Sequence, residues 1–453
     1  MNSLTRNKYC FGLGTVGRDM VYSLVSMYFI VFLSEYVGVT DGELMGLTAV
    51  IVGARIFDAL NDPVMGVLVD NTYTRWGKFK PWIAFGAFLS GLLTIALFAN
   101  FNVKGVAFVA LYGVLYILWG MAFTTNDISY WSLMPALTSD QKEREQIGSV
   151  ARICANVGLF VIVGGILPIT DVLGGVFGGR TKGFLALAIL AVLVMWIFQL
   201  FTLVGVREPR REQKGPTTTL KIMLETLVKN DQLLFTGISM ALFMIGYTTT
   251  TGFGIPYFKY VYGNEDTYSV FAVVLGVSQI AALAVFPQFS KRFTRRQLYT
   301  ASMLMVVIGY IAFFFAPMNI VFIGAAGVVL FAGQAFIQLL MLVFLADTIE
   351  YGEWKLGRRN EGVSFAIQPF INKMGGAVAN GVLGITLVLS NINSLPDGAE
   401  ASPESITMLK SAMMLLPLAC IVASYILHSL KYKLDQSTYN QILSDLEERR
   451  SQK

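Results

Sequence analysis

Four acids and four bases fall inside stretches that are otherwise apolar: Asp19, Asp58, Asp62 and Asp127, with Arg18, Arg55, Arg152 and Lys373. A charged side chain at the middle of a membrane-spanning helix costs about 2.5–3.5 kcal/mol. Eight of them facing lipid would cost on the order of 20 kcal/mol, more than a marginally stable chain can carry. These groups are therefore expected to face inward, pair and line a polar cavity. Arg55, Asp58 and Asp62 follow i, i+3, i+7 spacing and share one helix face, with Asn61 three residues after Asp58. Two carboxylates and an amide oxygen one turn apart form a hard-oxygen site suited to Na⁺ or Li⁺, or to a shared proton. An Arg55–Asp58 salt bridge is the plainer alternative, and it leaves Asp62 over.

A second set reads as a sugar site. Thr124, Asp127 and Trp131 recur at i, i+3, i+7. A carboxylate can take two hydroxyls in bidentate fashion while an aromatic ring covers the apolar C–H face of a sugar. Arg18 and Asp19 are adjacent and point in different directions on a helix, so at least one meets another helix or the cavity. Arg152 comes from a third span, and Gln368, Asn372 and Lys373 from a late one. At 1.5 Å of rise per residue, Asp19, Asp58 and Lys373 fall near mid-membrane, with Asp127 and Arg152 toward the cytoplasm. One depth suggests one site.

The elements that must hold these residues are apolar helices. Of 453 residues, 55% are hydrophobic and only 14% charged, with 33 Phe. Soluble domains carry about 25% charged residues, so much of this surface faces lipid. A span needs about 20 apolar residues. The sequence predicts about twelve, at approximately 9–37, 44–70, 81–100, 104–135, 146–169, 183–206, 231–258, 268–290, 297–316, 320–351, 361–390 and 405–431. In lipid each backbone group must be satisfied within its element, so the spans are helices. The fold class is an all-α integral membrane protein.

Roughly 25 Lys and Arg lie in one set of connections and the termini, against about five on the other side (Lys104, Arg180, Lys182, Lys259, Lys410). The positive-inside rule puts the rich side and both termini in the cytoplasm of a multi-pass cell-membrane protein. The basic stretch 207–230, with Pro209, Pro216 and the Thr217–Thr219 run, reads as a linker. It divides a six-helix bundle at 1–206 from a second at 231–432. The charged tail 433–453 reads as a solvated helical end. A basic loop recurs after the second helix of each half (Arg75, Lys78, Lys80; Lys291, Arg292, Arg295, Arg296). Two such halves resemble the major facilitator architecture.

Several other readings are set aside. The net charge of +5 does not imply nucleic acid, because the basic residues sit in short loops and form no folded basic face. Cys10, Cys154 and Cys420 show no metal or disulfide spacing, and His428 reads as an interface residue. Gly12-Leu13-Gly14-Thr15-Val16-Gly17 matches a dinucleotide fingerprint, but without a βαβ unit its glycines instead let the first helix approach a neighbour closely. Arg6 and Lys8 lead directly into an apolar stretch without a small-residue cleavage site, so it reads as a retained helix. No nucleophile–base pairing suggests an enzyme, and no cofactor beyond the coupling ion is expected.

Asp58-Ala59-Leu60-Asn61-Asp62-Pro63 after Arg55, then Arg75-Trp76-Gly77-Lys78-Phe79-Lys80-Pro81-Trp82, closely resembles the glycoside–pentoside–hexuronide:cation symporters. Further matching stretches are Ile117–Met121, Asp127-Ile128, Trp131–Leu133, Arg144–Gln146, Asp347 and Tyr351–Trp354. The resemblance implies a major facilitator fold and cation-coupled uptake of a sugar or glycoside. By position it makes Asp58, Asn61, Asp62 and Thr124 the cation site. Arg18, Asp19, Asp127, Trp131, Arg152 and Lys373 would form or border the sugar site. Arg144 would belong to a cytoplasmic gate. The roles of Thr124 and Arg144 come from the resemblance alone. Arg18 stands where the best-known member has lysine, Phe123 where it has tyrosine, and Ser129-Tyr130 where it has Pro-Phe, so the sugar is expected to differ. The expected function is symport of a sugar with Na⁺ or H⁺. The rivals are a lysolipid or amphiphile transporter of the same fold, and a sugar sensor that binds without transport.

Overall fold

The computed structural model describes residues 3–208, 220–264, 267–390 and 401–451. The linker prolines Pro209 and Pro216, the Thr217–Thr219 run and the side chain of Arg55 lie outside the described residues. Helix accounts for nearly all of the remainder, and among the described residues there is no strand beyond one isolated bridge at Thr74 and Gly77. The helices are α1 (Ser3–Leu13), α2 (Thr15–Val31), α3 (Asp41–Asp70), α4 (Lys80–Leu97), α5 (Val106–Leu137), α6 (Gln141–Phe177) and α7 (Arg180–Leu200). Then follow α8 (Leu220–Lys229), α9 (Asp231–Gly252), α10 (Gly254–Pro256), α11 (Thr267–Arg292), α12 (Arg295–Phe315), α13 (Ile320–Leu356), α14 (Glu361–Leu389), α15 (Pro403–Lys431) and α16 (Gln436–Ser451). Short π-helical turns extend the spans at Phe32–Val37, Phe201–Gly205 and Tyr257–Tyr262.

Each of the predicted spans is met by a long helix. Among the described residues, nine helices are long and apolar enough to cross a membrane on length and composition alone. The long helices outside that nine are α2, α3 and α14, which carry Arg18 and Asp19, Asp58 and Asp62, and Lys373. Some boundaries differ from the sequence reading for local reasons. The helix predicted from 44 begins at Asp41, because Thr40 and Glu43 form a reciprocal capping box. The helix predicted over 146–169 begins at Gln141, capped by Asp140, and runs through Pro168 to Phe177, ending on left-handed Gly178.

The chain forms two compact units. One comprises Met1–Leu224 with Asn360–Pro369; the other comprises Glu225–Arg359 with Phe370–Lys453. The first unit is built around aromatic packing of Phe29, Phe32, Phe98 and Phe184. The glycines of the first helix permit close approach. A Cβ at Gly12 would lie 2.5 Å from Val150 Cγ1, and one at Gly17 would collide with the Met195 backbone. In the second unit Phe258, Phe271, Phe313 and Phe331 pack together, and His428 is buried among the rings of Tyr299, Phe344 and Tyr432.

Two segments depart from expectation. The stretch read as linker ends in a helix, α8. The tail is not a solvated end, because α16 packs on the C-terminal end of α13. Tyr439, Ile442 and Leu446 follow i, i+3, i+7 and are buried, joining Leu434, Tyr351 and Trp354. Trp354 Nε1 donates to Asp445 Oδ2 at 2.8 Å, and Arg449 Nη1 donates to the Trp354 carbonyl at 2.8 Å. The stripe is only three residues wide in a helix otherwise charged, which hides it in composition. Leu446→Asp is expected to cost about 2–4 kcal/mol of docking and to free the tail. Limited proteolysis should then cut near 433–436 in the variant and not in the wild type.

Candidate functional site

A buried arginine organises the first unit's charges. Arg18 is 3% exposed. Its Nη2 and Nε donate to Asp19 Oδ2 at 3.0 and 3.3 Å, and its Nη1 lies 3.0 Å from Asp127 Oδ1. The guanidinium also lies 4.9 Å from the Tyr130 ring centroid and 5.1 Å from that of Trp131. One planar cation thus ties α2 to α5 through the Asp127 carboxylate and two rings while holding Asp19 on its own helix, an arrangement that suits arginine better than lysine. Arg152, on α6, places its guanidinium 5.0 Å from the same Trp131 ring. Arg18, Asp19, Asp127, Trp131 and Arg152 are therefore brought together. Lys373 is half-exposed on the part of α14 that belongs to the second unit.

The carboxylates remain open where the arginine is not. The Asp19 side chain is 26% exposed and that of Asp127 19%. Trp131, expected to be the stacking ring, is only 4% exposed and is covered by the two guanidiniums and Phe11. An accessible ring is supplied instead by Tyr22, which is 38% exposed and packs 5.1 Å from Phe123. Tyr22 lies three residues after Asp19, and Phe123 four before Asp127, so each helix presents one acid and one ring on the same face. That spacing was readable in the sequence. What could not be read was which aromatic residues are covered.

The proposed cation residues lie where α3 and α5 run side by side. Small residues alternate along the contact: Gly46 meets Val109, Gly113 meets Val50, and Gly120 meets Asp58. A Cβ at Gly120 would stand 2.8 Å from Asp58 Oδ1, so only glycine admits the carboxylate there. Below that point, Thr125 Oγ1 donates to Met65 Sδ at 3.4 Å. Asp58 and Asp62 are buried on α3, as is Thr124 on α5, while Asn61 is half-buried. Gly120 thus sets the Asp58 carboxylate against α5, with Asp62 one turn further along α3 and Thr124 one turn beyond Gly120 along α5. Among the described residues, no group of three His, Cys, Asp or Glu could hold a metal ion. Gly120 was missed in the sequence reading, although its position one turn before Thr124 marks it.

Asn126 and Gln199 form a reciprocal amide pair at 2.9 and 3.0 Å, and Asn126 Nδ2 also donates to the Ile83 carbonyl. This clamp fixes α5 against α4 and α7 and thereby sets the register of Asp127. Arg144, fully buried, donates from Nε to the Thr138 carbonyl at 2.9 Å and from Nη2 to the Pro135 carbonyl at 3.1 Å. It closes the C-terminal end of α5, where helix carbonyls lack partners. On the same unit, Lys78 Nζ reaches Asp70 Oδ1 at 2.6 Å and Glu361 Oε2 at 2.7 Å. Asp70 in turn accepts from the backbone N–H of Gly362 and Val363, both at 2.9 Å, at the N-terminus of α14.

Comparison with known proteins identifies the family. The model of the MFS/sugar transport protein family matches residues 10–436. The chain belongs to that family. The lactose permease of Leuconostoc lactis is 27% identical over 99% of this chain and 74% of its own length. The raffinose carrier protein of Pediococcus pentosaceus is 26% identical over 96% of this chain and 70% of its own. Among solved structures, the major facilitator superfamily transporter FucP in its outward conformation superposes with a TM-score of 0.67 at 12% identity, covering 96% of this chain and 99% of that one. This family member is thus a multi-pass membrane protein with the twelve-helix major facilitator fold.

Proposed function

We propose that the protein is a secondary active transporter that carries a sugar or glycoside across the cell membrane together with a monovalent cation, by alternating access. The observation that carries this reading is the pair of half-open carboxylates, Asp19 and Asp127, held by buried Arg18 beside the exposed ring of Tyr22. Two such carboxylates accept vicinal hydroxyls in bidentate fashion, and the ring covers a sugar's C–H face. Membership of a sugar-transport family supports the substrate class, and relatives described as lactose and raffinose carriers favour a glycoside. Arg152 completes the polar lining on the first unit in this reading, with Trp131 supporting the guanidiniums. The distribution of Lys and Arg favours cytoplasmic termini.

The cation is assigned to Asp58, Asp62, Asn61 and Thr124, with Na⁺ as the first candidate and H⁺ the second. Thr124 and Asp127 are on one helix, three residues apart. Cation binding at the first therefore orders the second, and sugar raises cation affinity by the same factor. Arg144 holds the end of that helix. No covalent step is required. The test is counterflow in proteoliposomes of a panel of labelled glycosides, with Na⁺ present or replaced by choline. Uptake that needs Na⁺ supports the assignment; uptake that follows pH and ignores Na⁺ moves it to H⁺. In Asp58→Asn the cation stimulation is expected to fall to onefold, with sugar binding retained in equilibrium titration. Undiminished stimulation would remove Asp58 from the cation site.

A further inference from the structure

A cleft of about 690 Å³ opens on the first unit, away from the carboxylate site, where the connection between α3 and α4 meets the end of α7. Its polar wall carries Arg75, Lys80 and Arg207, with Glu208 as the one acid. Its apolar wall carries Trp76 and Val204, which are 63% and 82% exposed. The Glu208 carboxylate is already engaged. It accepts from the backbone N–H of Lys78, Phe79 and Lys80, where α4 begins, and Gly77, at φ +112°, leaves room for it. The positive end of α4 is thus neutralised from within. Lys80 Nζ spends one proton on the Val206 carbonyl, at 2.7 Å. Arg75 and Arg207 are exposed, and among the described residues neither is in an ion pair. The cleft is left with an excess of positive charge directly beside exposed apolar side chains.

We propose that this cleft binds the phosphate of an anionic phospholipid, with the acyl chains lying along Trp76 and Val204. The position favours a lipid over a free anion. The cleft sits at the ends of two membrane spans, on the face that holds most of the chain's Lys and Arg, where anionic headgroups attract basic residues and Trp marks the interface. A soluble phosphate would use the polar wall and leave the apolar one bare. The three basic groups answer one phosphodiester and the Glu208 carboxylate.

The test uses full-length protein purified in detergent and titrated with phosphatidylglycerol or phosphatidylcholine bearing brominated acyl chains. Tryptophan fluorescence is read in the wild type and in Trp76→Phe, and the difference reports Trp76. Brominated phosphatidylglycerol is expected to quench Trp76 at concentrations on the order of tenfold lower than phosphatidylcholine. The double variant Arg75→Gln, Arg207→Gln should lose that preference, and Arg75→Lys, Arg207→Lys should keep it. Equal quenching by the two lipids, or quenching by neither, overturns the anion site. Displacement of phosphatidylglycerol by millimolar inorganic phosphate assigns the polar wall to a free anion and overturns the lipid.

Discussion

Asp127→Asn is expected to lower sugar affinity by about 100-fold and to abolish measurable uptake. The estimate rests on two charge-assisted hydrogen bonds, each contributing about 1.5–3 kcal/mol, with 1.4 kcal/mol equivalent to tenfold. An amide at this position offers one acceptor, which the neighbouring Arg18 guanidinium claims, so its NH₂ group is left to face the sugar hydroxyls. The fold should survive. Arg18 keeps both of its hydrogen bonds to Asp19, at 3.0 and 3.3 Å, and its contact with the Tyr130 ring. The variant should therefore reach the membrane in normal amounts and melt within a few degrees of the wild type. Equilibrium binding of the identified glycoside, measured beside the melting curve, separates the two effects. Unchanged affinity would take Asp127 out of the sugar site, whereas loss of affinity together with collapse of the melting temperature would make its role structural.

Lys78→Met is expected to destabilise the protein by about 3–5 kcal/mol, because it strands two carboxylates that share one buried cation. The side chains of Asp70 and Glu361 are 2% and 1% exposed and both reach the same Nζ. Burial alone would lower the Lys78 pKa, but attraction by Asp70 and then Glu361 outweighs it, and the net shift is upward from the usual 10.5. A base whose folded pKa is raised contributes its full stabilisation below its unfolded value and loses it as pH rises through the folded one. The difference in melting temperature between wild type and Lys78→Met should therefore stay constant from neutral pH to about pH 10 and shrink only above it. A gap that closes near neutral pH would mean that Lys78 is not the charged partner of this pair. Asp70 also holds the Gly362 and Val363 amides, so proteolysis near Asn360 should report the same loss of anchoring.

The fold class was legible because lipid imposes a simple rule: long apolar runs must be helices, and their ends are marked by Lys, Arg, Gly and Pro. Local capping was less legible. Thr40 and Glu43 set one boundary at Asp41 rather than 44, though the capping-box spacing was present in the sequence. The candidate site residues Asp58, Asp62, Asp127 and Arg18 stood out in the sequence because charge inside an apolar run is costly. The buried stripe of α16 failed to stand out because Tyr439, Ile442 and Leu446 are diluted by charged neighbours.

By itself, then, the sequence determined that the chain is a helical membrane protein, where its spans lie, and which ionisable residues must turn inward. Only the tertiary structure decided how those residues are paired. Adjacent helix positions point about 100° apart, and no local rule could say that Arg18 would bridge Asp19 to Asp127 on another helix. Nor could spacing reveal that Trp131 is covered while Tyr22 is open, or that Gly120 lies against Asp58. Each of these depends on which helix faces are brought together and how closely, and that is set by packing among segments far apart in the chain.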